Sequence, residues 1–230
     1  MPDVPRTTPS ASASASAFTS AFPLPPLADQ VERLIGLGVP ALTGVDADAL
    51  RAYAEKAAVD APEGSLLAVH PAAAPASALT PLLRLADRPG FLVVDMEDVD
   101  AFTPQGVELP DGPFYLVHGL DRGDHLGNWS PEEALPALTA AGRTPLVLTE
   151  GIHWLLQRPE VLERNKCFMT IGSRLRKANG SFDARTPAVW ISNGTGRDGK
   201  ERKGAPKVGW CWWNNRHTWL GFGSTTGRAG

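Results

Sequence analysis

The chain is short of cysteine, methionine and tyrosine, and it has no long apolar run. Two residues of 230 are Cys, three are Met and two are Tyr. Two thiols without a C-x-x-C spacing cannot form the framework that staples small secreted domains. A reduced, cytoplasmic chain is the expectation. No stretch approaches the roughly 18 apolar residues of a membrane-spanning helix, so no membrane partner is expected. The N-terminus lacks the apolar core of a secretory signal. Also missing are G-x-x-x-x-G-K-[ST], G-x-S-x-G and H-E-x-x-H, the local signatures of a nucleotide cradle, a hydrolase elbow and a zinc protease. No cofactor is indicated and no metal site is expected.

What is present suits a folded body. Hydrophobic residues make up 43% of the chain and charged ones 20%, enough apolar material for a core. Residues 1–22 are a Ser/Ala/Thr/Pro tract expected to remain disordered. Residues 23–226 read as a single α+β domain, and 227–230 as a flexible end. Charge is distributed unevenly. Residues 1–150 carry 8 basic and 20 acidic side chains, and residues 151–230 carry 14 and 5. The two halves either attract each other inside one domain or present a basic surface to an anionic partner.

Leu27, Val31, Leu34 and Ile35 recur at helical spacing, and Asp46 is placed to cap a helix that runs to about Lys56. Apolar runs at Leu66–Val69, Phe91–Val94 and Phe114–Val117 predict strands, the second buried on both faces. Ser130-Pro131-Glu132-Glu133 spells a capping box, and Thr149 is placed to cap the next helix. Further strands are expected over Cys167–Ile171, Ala188–Ile191, Val208–Trp213 and Trp219–Phe222. Residues 208–223 read as a β-hairpin turning at Asn214-Asn215, which tolerate positive φ. The predicted architecture is a mixed or antiparallel sheet with flanking helices and this Trp-rich hairpin.

Several segments are distinctive: FLVVDMEDVDAF (91–102), RGDHLGNWSPEEALP (122–136), GRTPLVLTEGI (142–152), NKCFM (165–169), PAVWIS (187–192) and GAPKVGWCWWNNRHTWLGFGS (204–224). Over residues 65–226 they resemble a family of uncharacterised proteins common in actinobacteria, the tryptophan-rich final segment being the most specific. The resemblance implies a shared fold and supplies no activity and no catalytic residues. Segments 174–186 and 194–203 are longer and more basic than the family pattern.

Candidate chemistry lies in three places. Asp124, His125, Asn128 and Trp129 occupy a connector between a strand and a capped helix, where a rigid scaffold aims polar groups. Trp210, Trp212 and Trp219, with Asn215 and His217, belong to the aromatic segment; in the hairpin register Trp210 and Trp212 share a face and Cys211 takes the other. That register sets Cys211 too far from His217 for a nucleophile–base pair. Arg197, Lys200, Arg202, Lys203 and Lys207 form glycine-rich basic loops. Aromatic walls with a few convergent polar groups are the usual make-up of a small-molecule site. The leading expectation is therefore a small, aromatic or anionic ligand in a Trp-lined pocket, with Asp124, His125 and His217 the acid–base candidates should the protein be an enzyme of specialised metabolism. The alternatives are a single-stranded nucleic-acid module using the basic loops and exposed aromatics, and a structural or protein-interaction role presenting the acidic segment around Asp95–Asp100.

Overall fold

The computed structural model describes residues 22–230; the expected N-terminal tail lies outside the described residues except for Phe22. Helix α1 (Leu27–Gly36) buries Leu27, Val31 and Leu34 along one face. Helix α2 (Ala47–Ala57) starts as its sequence predicts: the Asp46 carboxylate accepts the Ala49 N–H at 2.7 Å. The fully buried Gln30 locks α1 to the first strand. Its Nε2 donates to the Ser65 carbonyl at 2.8 Å and its Oε1 accepts the Leu67 N–H at 2.9 Å.

Eight strands make the two principal sheets: β1 (Leu66–Val69), β2 (Phe91–Leu92), β3 (Phe114–His118), β4 (Cys167–Met169), β5 (Arg185–Ile191), β6 (Pro206–Trp212), β7 (Leu220–Phe222) and β8 (Gly227–Ala229). The smaller sheet is antiparallel, in the order β1-β3-β8. The larger runs β7-β4-β5-β6-β2 and is mixed: its three central strands are antiparallel, while β7 and β2 join its edges in parallel. Helices α3 (Pro131–Ala140) and α4 (Leu148–Gln157) complete the α+β fold. Ser130 forms the predicted capping box with Glu133. Side chains alternate across the large sheet. Phe168, Val189 and Val208 enter the main core with α4, where the Trp154 and Phe168 rings lie 5.9 Å apart. Cys167, Met169, Ala188, Leu220 and Phe222 face a second cluster that contains Ala134 and Leu138 of α3.

Four expectations are corrected. The C-terminal hairpin does not form: β6 and β7 share a sheet, but β5 and β4 stand between them. Both edges of β6 are already taken, by β5 and β2. Asn214 and Asn215 are not among the positive-φ residues, so the tight turn is never made. Instead the Trp213 N–H donates to Ala184 O at 2.8 Å and its ring lies 3.7 Å from the Arg174 guanidinium, which draws the chain across the sheet. Residues 227–229, expected to be loose, are β8, paired with β3. The helix expected to be capped by Thr149 starts two residues earlier, with Val147 at the cap and Leu148 as its first residue, whose N–H is taken by Ser173 Oγ at 2.9 Å. The strand at Phe91 is two residues long and only half-buried, because it is an edge strand with β6 as its one neighbour.

Candidate functional site

Where β7 meets β4, a cavity of about 380 Å³ opens beside the large sheet. Trp190 and Trp219 supply its aromatic surface, and His217 stacks on Trp219 with ring centroids 4.5 Å apart and planes within 10° of parallel. Asn165, Lys166 and Asn193 bring polar groups. Cys167 and Cys211 both reach it, although β5 separates their strands. On β5 their register partners are Trp190 and Thr186, and the residue between those two on that face is Ala188, which carries only a methyl group.

The thiols differ. Cys167 is buried and Cys211 half-buried. Burial pushes the Cys167 thiol well above its ordinary value. A hydrogen bond from Cys167 pulls the Cys211 thiol down, burial opposes this, and the Lys207 ammonium adds to the lowering. No hydrogen bond joins Cys211 to His217, so the cavity holds a nucleophile and a base candidate without a preformed dyad.

Of the residues singled out in the sequence, His217 and Trp219 line this cavity. Trp210 and Trp212 do not. They pack edge to face, with centroids 4.4 Å apart and planes inclined by 62°, and the Trp210 indole N–H donates to Asp95 at 3.3 Å. Asp124 pairs with Arg122 at 3.1 Å and reaches Lys166 at 3.6 Å, so it touches the cavity only through that lysine. His125 is exposed, its Nδ1 3.9 Å from Asp121. Asn128, Trp129 and Asn215 are not lining residues. The two polar segments nevertheless converge through their backbones: the Asn128 N–H donates to His217 O at 2.9 Å. This approach is close enough to require glycine. A Cβ at Gly123, which has φ +71°, would lie 2.3 Å from Phe222 O. Trp190, Asn165, Lys166, Asn193 and Cys167 were missed as site residues because segments far apart in the chain bring them together, and Cys211 was set aside on a hairpin register that does not form.

The basic loops are largely answered from within. Arg197 pairs with Asp95 at 3.1 Å, Lys207 with Asp198 at 2.9 Å, and the Arg202 guanidinium lies 4.6 Å from the Phe91 ring. Lys200 and Lys203 have no carboxylate partner among the described residues. Gly194-Thr195-Gly196-Arg197-Asp198-Gly199 does spell G-x-G-x-x-G. Yet it follows the antiparallel strand β5 and enters two 3₁₀ turns, so no helix N-terminus awaits a phosphate there. Arg185–Asp98, Arg216–Glu133 and Arg228–Glu150 also join the basic half to the acidic half.

Residues 33–230 match the model of a family of unknown function, DUF5701. The chain belongs to that family. The DUF5701 match begins upstream of the distinctive segments and takes in the end of α1, from Arg33 on, and all of α2. No curated protein and no solved structure matches the chain. Among the described residues no helix is long and apolar enough to cross a membrane, and no group of three or more His, Cys, Asp or Glu could hold a metal ion.

Proposed function

We propose that this DUF5701 protein binds a small planar ligand in the cavity lined by Trp190 and Trp219. One observation carries the reading: a cavity of about 380 Å³ gathers two indoles, an imidazole, two amides and two thiols from strands remote in sequence. That size and mixture suit a small-molecule site. Lys166 is already held by Glu163 at 2.9 Å and by Asp124, so its pull on an anion is weak, and a neutral or weakly acidic ring fits best. Indole faces hold flat groups by offset stacking, and the two asparagine amides supply donors and acceptors for the ring edge. Cys211 gives the same cavity a nucleophile for a ligand bearing an electrophilic carbon.

The test is a ligand-observed NMR screen of flat heteroaromatic fragments against the full chain and Trp219→Ala. Hits that lose at least tenfold in affinity in the variant support the reading. Hits indifferent to the change, or an empty screen, overturn it. The nucleic-acid alternative rests on less, because Arg197 and Lys207 are spent on internal carboxylates. Exposed Trp212, with Lys200 and Lys203, is what remains for it. It requires single-stranded oligonucleotide affinity that falls steeply with salt.

A further inference from the structure

We infer that the protein carries a second ligand site, remote from the indole cavity, for a small apolar molecule with a carboxylate or similar acceptor head. A cavity of about 490 Å³ lies where β1 ends and α4 begins, and it shares no lining residue with the indole cavity. Val99, Phe102, Val107 and Leu109 give it apolar walls. Its buried end is Val147, Leu148 and Thr149 at the start of α4, together with Ser173.

The polar groups at that end point to the head group. Thr149 is 5% exposed and its Oγ1 has no hydrogen-bond partner. A buried hydroxyl left this way is unfavourable in the empty protein and is satisfied by an acceptor on a ligand. Ser173 Oγ accepts the Leu148 N–H, which leaves its own O–H to donate. The Thr149 and Glu150 amides stand at the second and third positions of the helix, where no intrahelical acceptor exists. The ten-residue α4 therefore presents its positive end here. The Glu150 carboxylate does not reverse this field, because Arg228 pairs with it, its Nη2 2.7 Å from Oε2. His70 adds a donor at the wall: its Nδ1 accepts the Ala72 N–H at 3.2 Å, which places the proton on Nε2. The one carboxylate in the lining, Asp100, sits at the exposed rim and is held by the Ser77 amide at 2.9 Å and by the Ser77 hydroxyl. Donors at the closed end and apolar walls above them select an acceptor head on an apolar tail.

Octanoate, octanol and octylamine share a tail and differ in the head. Each is titrated into the full chain while backbone amide shifts are followed by NMR. Octanoate is expected to shift the Leu148–Glu150 and His70 amides saturably, and octylamine to bind at least tenfold more weakly. Thr149→Val, which keeps shape and removes the hydroxyl, is expected to weaken octanoate at least fivefold. Val107→Trp is expected to block it from the half-buried wall. Octylamine binding as tightly as octanoate, no shift at those amides, or Thr149→Val without effect would overturn the site. If Thr149→Val fails to fold, the head-group ranking in the unmodified protein decides alone. Trp219→Ala disables the indole cavity and leaves octanoate binding intact, so the two proposals fail separately.

Discussion

Two polar regions flank the large sheet, and they are finished differently. Around α4 every ionisable group is satisfied. Glu150 is fully buried, takes the Val147 N–H at 2.9 Å and the Tyr115 hydroxyl at 3.1 Å, and is clasped by Arg228. His153, also fully buried, shares its Nδ1 proton with the Thr149 carbonyl at 2.8 Å and accepts the Val69 N–H on Nε2 at 3.2 Å. Beside the indole cavity, the His217 imidazole and the two asparagine amides make no side-chain hydrogen bond among the described residues, and half-buried Cys211 has Cys167 as its hydrogen-bond partner. A closed set of hydrogen bonds holds elements together. An open set on a cavity wall leaves capacity for something else. Glu150 and His153 therefore act as joints between α4, β1 and β8, while His217 and Cys211 are free to meet a ligand.

The largest expected break in this comparison is Arg228→Met. It strands the Glu150 carboxylate in the core, and the loss of a partner from a buried pair costs about 3–5 kcal/mol. Urea denaturation should show it, and a variant as stable as the parent would remove Glu150 from the structural set. His153 comes next. Burial lowers it from 6.5 to about 4. Between those values the unfolded chain binds a proton that the folded chain does not, so stability present above pH 6.5 is lost as pH falls toward 4. The loss attributable to this group is on the order of 3 kcal/mol. His153→Gln should flatten that part of the pH–stability curve, and an unchanged slope would assign it to other groups. By contrast Trp219, 52% exposed, should cost less than about 1 kcal/mol of stability when cut to Ala while abolishing fragment binding; a large loss of stability would make it a core residue instead. The smallest effect sharpens the thiol pair. Iodoacetamide at neutral pH should label Cys211 before Cys167, and Cys167→Ala should slow Cys211 a few-fold by removing its hydrogen bond. Peptide mass spectrometry reads both rates, and equal labelling of the two thiols would erase the asymmetry.

Local signals were accurate where the partner lies within a few residues. Asp46 capping Ala49 and Ser130 paired with Glu133 are three-residue events, and both stand where the sequence places them. Helix faces such as Leu27, Val31 and Leu34 are equally local. The C-terminal third was harder. A hairpin at Asn214-Asn215 satisfies every short-range rule, yet β5 and β2 compete for the edges of β6 and win. With the hairpin gone, the distance argument that kept Cys211 from His217 lost its basis, and the loop 213–219 carries His217 to the cavity that Cys211 lines.

Composition and pattern by themselves determined that this chain has a core, an α+β layout, helices with defined starts, and a concentration of indoles in its second half. They also set the uneven charge, whose ion pairs the fold then spends largely on itself. Only the tertiary structure decided which indoles share a cavity, which carboxylate is buried, and which hydroxyl is left without a partner. Those properties depend on strand order and on contacts between residues as far apart as Glu150 and Arg228. Strand order is settled by competition among all edges for partners and all apolar faces for burial, and no window of neighbouring residues contains that competition.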